Sequence, residues 1–358
     1  MRTICLESHN IDNLFFGFGQ FNYHLIKGFY NHQDILKALD VEITLISKHP
    51  EKLEKEFGQT FCYKKYNSLQ RKKIFRIKKA YNLWHSLNQN TKIEPFKNIP
   101  YLLTVHDVNF MEELSGNDLN KRIRLFKDKL QRSHAITYIS EYAKTMTHTY
   151  FKVPDIPEYV IYNGSSKPKE IPENHIPALL PKGDFIFTIG EVLEKKNFHT
   201  LVEMLANLPE LNLIISGKNT TDYAKEIKKK VDKLQLENRV FLTGKISETD
   251  KAYYLKNCYA FCFPSLREGF GIPPIEAMQY GKPVFLSDKS SLPEVGGEHA
   301  FYWEHFEPKY MADILQNGMK IYNEDQIDYS EKLQQHANSY SWDNTAKQYL
   351  NVYRSLLK

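Results

Sequence analysis

Short apolar runs alternate with stretches of helical period along this chain of 358 residues. In the first half the runs fall at Arg2–Glu7, Val41–Ser47, Tyr81–Ser86, Tyr101–His106, Ala135–Ser140 and Glu158–Asn163. Their β-branched and aromatic content, bounded by polar or turn-forming residues, predicts strands. Helices are predicted between them at about 20–31, 50–57, 68–79, 117–132 and 141–151. Strands that alternate with helices predict a parallel sheet in an α/β domain. From Ser165-Ser166-Lys167-Pro168 to Pro181-Lys182-Gly183 the periodicity fades and turn residues gather, as in a linker. The alternation then resumes, with strands predicted at Asp184–Gly190, Leu211–Ser216, Arg239–Thr243, Tyr259–Phe263 and through Gly281–Leu286. The tail is helical from about residue 307. Its last helix opens at Ser341, read as an N-cap, with Trp342, Ala346, Tyr349, Leu350, Tyr353, Leu356 and Leu357 on one apolar face. The pattern therefore predicts two α/β domains, residues 1–167 and 168–340.

Composition narrows the class. Hydrophobic residues at 42% and charged residues at 25% are those of a globular protein. No run reaches the roughly 20 apolar residues that span a bilayer. Met1–Leu6 leads straight into a strand, with no signal-peptide core. Cys5, Cys62, Cys258 and Cys262 are scattered, so free thiols and a cytoplasmic protein are expected. The net charge of +5 is modest, but its distribution is uneven. Lys64, Lys65, Arg71, Lys72, Lys73, Arg76, Lys78, Lys79 and Lys92 lie in a segment with no acid between Glu56 and Glu94. Ile74, Phe75 and Ile77 interrupt the charges. A helix over this segment, lying on an anionic membrane at its inner face through residues 64–79, is the expectation. No RNA- or DNA-binding motif accompanies the charge, so nucleic acid is not an expected partner.

The chemistry concentrates in Arg267-Glu268-Gly269-Phe270-Gly271-Ile272-Pro273-Pro274-Ile275-Glu276-Ala277-Met278. This stretch follows a strand and opens a helix, and prolines suit a first helical turn. Gly269 and Gly271 admit a ligand close to the backbone. The N–H groups of such a turn suit a diphosphate, whereas Glu268 and Glu276 suit hydroxyl groups of a sugar or ribose. Upstream, Lys195-Lys196-Asn197 precede a helix, where cations are unfavourable unless an anion binds as well. His106-Asp107 and His85 end strands, where ligands bind in open parallel sheets. Gly17-Phe18-Gly19 stands between the first strand and its helix, but Asn22 replaces the third glycine of a dinucleotide fingerprint. That argues against a nicotinamide enzyme.

Glu268 and Glu276 at this spacing, set behind Pro264-Ser265-Leu266 and around Gly269-Phe270-Gly271, closely resemble the signature of the GT-B retaining glycosyltransferases of family 4 (glycosyl transferases group 1). The resemblance implies two Rossmann-like domains facing across a cleft, with the last helix, 341–358, crossing back to the first domain. It implies a hexosyltransferase that moves a sugar from a nucleotide-sugar donor to a hydroxyl of a glycan or lipid-linked glycan, in cell-surface polysaccharide synthesis. Glu276 would hold the ribose, and Glu268, Gly269, Phe270 and Gly271 the donor sugar and its diphosphate. Lys196 would bind the diphosphate, with Lys195 standing where the family usually has arginine. His106 would reach the donor sugar, Gly17 and Gly19 would lie near the donor phosphates, and Gly244 to Ile246 would line the nucleobase pocket. Catalytic roles are thus expected for His106, Lys196 and Glu268. No Asp-x-Asp motif is present, so neither a metal nor a further cofactor is expected to be required. Three other readings remain open at this point: a glycosidase using Glu268 and Glu276, a sugar-nucleotide epimerase of the same fold, and a non-catalytic protein of anionic membrane surfaces.

Overall fold

The structure, a computed structural model, describes residues 1–14 and 17–357. The chain forms two compact units, Met1–Gly164 with Ser341–Lys358, and Ser165–Tyr340. The first is built on β1 (Arg2–Glu7), β2 (Val41–Ser47), β3 (Cys62–Lys65), β4 (Leu83–Ser86), β5 (Tyr101–Val105), β6 (Ala135–Tyr138) and β7 (Glu158–Val160). They form one seven-stranded sheet in the order β3-β2-β1-β4-β5-β6-β7. Every pairing is parallel, as expected for strands joined through helices. β4, β5 and β6 are buried along their whole length, which is why they read as continuous apolar runs. β3 escapes the hydrophobic pattern because it is a short edge strand, Cys62-Tyr63-Lys64-Lys65, with lysines at its end.

Several expectations in this unit need correction. Residues 68–79 are not a helix but two short 3-10 turns, Ser68–Arg71 and Lys73–Phe75. Asn67 and Gln70 cap the first turn reciprocally, and Lys72 is extended, so the helix cannot propagate. Ile77 then drops into the core and pairs with Pro95 in a parallel bridge, which fixes an extended chain. The first helix runs over Gly17–Asn31, so Gly17 and Gly19 sit in its opening turn rather than in a loop before it.

The last helix, Trp342–Leu356, belongs to the first unit; Lys358, the end of the expected helix, lies outside the described residues. Ser341 occupies the N-cap position, but its side chain makes no capping bond; the Thr345 hydroxyl donates to its carbonyl instead. Trp342 stacks on His24 and meets Phe21 edge-on, both on the Gly17–Asn31 helix. Further along, two tyrosines reach the sheet. The Tyr353 hydroxyl bonds to His85 Nδ1 at 2.7 Å, and His85 Nε2 bonds to Thr104 Oγ1 at 2.8 Å. Tyr349 lies 3.3 Å from the hydroxyls of both Thr104 and Thr137. His85 is therefore a fully buried packing residue and not part of an open site. Lys129 and Glu94, also fully buried, pair at 3.0 Å beneath the same sheet, where Arg132 satisfies the other carboxylate oxygen.

The second unit contains β8 (Phe185–Ile189), β9 (Asn212–Ser216), β10 (Val240–Gly244), β11 (Ala260–Phe263), β12 (Val284–Ser287) and β13 (Phe301–Trp303). Their order is β10-β9-β8-β11-β12-β13, again parallel throughout. The edge strand β13 and the helix Asp222–Lys233 were not expected from the pattern. All four cysteines are free thiols. Among the described residues, no helix is long and apolar enough to cross a membrane.

Burial, followed by the charge of nearby His106, pushes the His85 imidazole from its ordinary 6.5 down to about 3. The unfolded chain binds this proton first as pH falls, so the stability present above pH 6.5 is lost on the way down. Between about pH 7 and about pH 4.5 this one residue should remove about 2–3 kcal/mol. Urea unfolding of the wild type and His85→Gln at both pH values checks it. The variant should show a shallower pH dependence, and an identical slope would contradict the prediction.

Candidate functional site

In an open parallel sheet the crevice lies where the strand order reverses, beyond the carboxyl ends of the strands. In the second sheet that point is between β8 and β11, which are direct neighbours. The chain leaving β8 makes a 3-10 turn at Glu194–Lys196, closed by Asn197 in the left-handed region. The chain leaving β11 carries Pro264–Glu268. These two loops are fastened together. The Lys195 carbonyl accepts from the Leu266 N–H at 2.8 Å and the Ser265 hydroxyl at 3.1 Å. Lys196 Nζ then meets Glu268 Oε1 at 2.5 Å and lies 4.9 Å from the Phe263 ring centroid. Both members of this pair are largely buried, with side chains 13% and 15% exposed. Glu268 and Lys196 are thus brought together, and Lys195 contributes its backbone to the same junction.

The turn that follows is braced from below. The Ser291 hydroxyl donates to the carbonyls of Phe270 at 2.6 Å and Glu268 at 3.1 Å, and the Glu268 N–H donates to Ser290 Oγ at 3.1 Å. The Phe270 side chain is buried edge-on against Tyr340. Gly271 has φ 119°, a conformation that favours glycine, and an added Cβ would stand 3.0 Å from Leu292 Cδ2. It caps the helix Ile272–Gln279, whose first turn holds Pro273 and Pro274. Glu276 lies on that helix and accepts from Lys251 Nζ at 2.9 Å. Burial pulls the Lys251 ammonium down, but the carboxylates of Glu276 and Glu248 outweigh it and raise its pKa above the ordinary lysine value. Glu276 also lines a cavity of about 310 Å³ with Lys251, Glu248, Lys169 and Tyr280.

Each acid therefore has its own lysine, Glu268 with Lys196 and Glu276 with Lys251. That arrangement disfavours the glycosidase reading, in which one carboxyl must be held protonated as an acid. Sequence reasoning missed Lys251, Ser290 and Ser291, and also Ser287, whose hydroxyl donates to the Ser265 carbonyl. Ser291 stands at the N-cap position of the helix Leu292–Gly296, but its hydroxyl makes no capping bond and turns back to the loop. Gly244 ends β10 at φ 71°, its carbonyl accepting from the Gly217 N–H at 2.8 Å. Ile246 follows in the half-buried loop before the helix Glu248–Asn257.

In the first unit His106 follows β5 and is nearly buried. Its Nε2–H donates to the Leu87 carbonyl at 2.8 Å, and its ring meets Phe18 and Phe21 edge-on. Burial lowers its pKa to about 4, against the opposing pull of that carbonyl. The ring is neutral at pH 7, with Nδ1 left as the acceptor nitrogen. Gly19 is packed so tightly that an added Cβ would lie 2.0 Å from the Asn13 carbonyl oxygen, whereas Gly17 has open space. Ser140 caps the helix Glu141–Tyr150 by accepting from the Ala143 N–H. Among the described residues, no group of three or more His, Cys, Asp and Glu is arranged to hold a metal ion.

Two parallel α/β units, the second with its polar site at the sheet's reversal point, define a GT-B fold. The Anabaena protein HepE, solved in complex with UDP-glucose, superposes with a TM-score of 0.71 at 16% identity, covering 99% of this chain and 100% of that one. Sucrose-phosphate synthase from Thermosynechococcus elongatus gives 0.69 at 19% identity over 99% of each chain. At these identities the likeness carries the fold alone. Residues 171–340, nearly the whole of the second unit, match the family model of glycosyl transferases group 1. The chain is 27% identical over 193 residues to the O-antigen chain mannosyltransferase RfbU of Salmonella typhimurium, covering 54% of this chain and 53% of the relative. It is 30% identical over 252 residues to the serotype-specific mannosyltransferase WbdA of Escherichia coli, covering 64% of this chain and 30% of the relative. The chain thus spans about half of the first relative's length and under a third of the second's.

Ser291→Ala removes both hydroxyl bonds to the loop carbonyls. It should lower stability by about 1–2 kcal/mol, read as a shifted urea midpoint at unchanged slope. An unchanged midpoint would contradict the bracing role.

Proposed function

We propose that this chain is a retaining glycosyltransferase that moves a hexosyl group from a nucleotide-sugar donor to a hydroxyl of a glycan or lipid-linked glycan. The observation that carries the proposal is the Lys196–Glu268 pair at the reversal of the second sheet, beside the Gly271 turn. O-antigen mannosyltransferases among the relatives support a mannosyl group and a role in surface polysaccharide synthesis.

In this reading the donor diphosphate takes Lys196 from Glu268. The diphosphate carries more charge than one carboxylate, so the exchange is favourable, and Glu268 is released to accept hydroxyls of the sugar. Glu276, oriented by Lys251, accepts the ribose hydroxyls. The loop of Gly244 and Ile246 runs beside the nucleobase. As the bond from the anomeric carbon to the phosphate oxygen breaks, its electron pair goes to the diphosphate. Lys196 and the N–H groups around Gly269 to Gly271 offset that developing charge. The acceptor oxygen then bonds to the anomeric carbon on the same face, and its proton passes to the departing phosphate oxygen. This assigns the charge stabilisation to a lysine and to backbone dipoles, so no divalent cation is required. His106, neutral at working pH, serves as a hydrogen-bonding group and not as a proton donor.

A binding screen of nucleotide sugars followed by a transfer assay tests this. Lys196→Met keeps the aliphatic stem against Phe263 but removes the charge. It should reduce transfer by roughly 10²–10³-fold while the protein stays folded. Undiminished transfer would refute the diphosphate role. Conversion of the donor sugar with no acceptor present would favour an epimerase instead.

A further inference from the structure

The basic segment of the first unit is not a helix, and its actual shape points to a use. After the turn at Lys73–Phe75, Arg76 and Lys73 face the helix Gly116–Arg132. Together with Lys121, Arg124, Leu125 and Asp128 of that helix they line a shallow groove of about 390 Å³. Lys121, Arg124 and Asp128 recur at the spacing that places side chains on one helix face. Four cations meet one acid here, and that acid, Asp128, already accepts from Arg132 Nε at 3.0 Å. Lys121 shares an exposed contact with Asp118. Among the described residues, no carboxylate pairs with Lys73, Arg76 or Arg124. Arg76 Nε is shielded from solvent and has no hydrogen-bond partner among the described residues. A shielded guanidinium nitrogen left unpaired among like charges is costly unless an anion is its partner.

The rim of the groove has the opposite character. Ile74 is 69% exposed, Phe75 46% and Phe96 54%. Phe96 joins this edge because its N–H donates to the Ile77 carbonyl at 2.8 Å, and Lys78 Nζ lies 6.0 Å from its ring centroid. Large apolar side chains interleaved with cations gain little in water, but they suit the boundary between lipid headgroups and acyl chains.

We propose that this groove and its rim dock the chain on an anionic lipid surface. Lys73, Arg76, Lys121 and Arg124 take lipid phosphates, and Ile74, Phe75 and Phe96 enter the interface. The surface is assembled from two segments far apart in the sequence, so the acid-free run alone describes only half of it. The docking is independent of the reaction proposed above and stands or falls separately.

The test is co-flotation with vesicles of phosphatidylcholine, with and without phosphatidylglycerol. The wild type should float only with the anionic vesicles and should release as salt is raised. Arg76→Glu/Arg124→Glu should weaken partitioning by roughly thirtyfold or more. Lys228→Glu/Lys229→Glu, exposed lysines of the other unit with the same change in net charge, should leave it unchanged. Ile74→Ser/Phe75→Ser should weaken binding while preserving its salt dependence. The proposal is overturned if both charge-reversal pairs act equally, if neutral vesicles bind as well as anionic ones, or if inorganic phosphate or single-stranded RNA competes the protein off the vesicles at equal charge concentration.

Discussion

The Lys196–Glu268 ion pair joins the loop after β8 to the loop after β11 at the point where the second sheet reverses its order. Much of the surrounding structure serves to hold it. The Lys195 carbonyl is clamped by Ser265 and Leu266, and the Glu268 main chain is held by Ser290 and Ser291. A pair this far removed from water gains from its short contact but loses the hydration of both ions, and the two terms nearly offset. Such a pair is poorly justified as a stability device and well suited to exchange. A stronger anion can displace the carboxylate from the lysine without leaving either charge stranded.

The first unit solves a different problem. Its sheet is buried on both faces, so the polar groups placed there must find partners inside. The C-terminal helix supplies them: Tyr353 satisfies His85, and Tyr349 satisfies two threonines of adjacent strands. The result is a last helix that is bonded to the sheet and also packed against Phe21 through Trp342. Burial keeps both His85 and His106 neutral near pH 7. For His106 that neutrality has a chemical consequence, since it limits the ring to hydrogen bonding.

Much of this was readable from the chain. Strands buried on both faces announced themselves as apolar runs, and the Glu268–Glu276 stretch identified its own strand–turn–helix context. What was not readable has physical causes. β3 and β13 are edge strands of only four and three residues, too short for a period to register. The run 68–79 has apolar residues, but Ile77 is drawn into the core by a bridge to Pro95, a non-local contact that overrides helical preference. Lys251 is an ordinary lysine on the helix Glu248–Asn257 until the fold sets it against Glu276. The bracing serines and the Lys121–Arg124 half of the basic groove likewise acquire meaning only through contacts distant in sequence.

The exchange of Lys196 between Glu268 and a diphosphate is the central claim, and it can be measured without knowing the sugar or the acceptor. Calorimetric titration with free nucleoside diphosphates compares the wild type with Glu268→Gln. Removal of the competing carboxylate leaves the Lys196 charge without its buried partner and should make the diphosphate bind more tightly, by roughly tenfold or more. The tightening should vanish when Lys196→Met is added. Unchanged or weaker binding by Glu268→Gln, or tightening that survives the loss of Lys196, would contradict it.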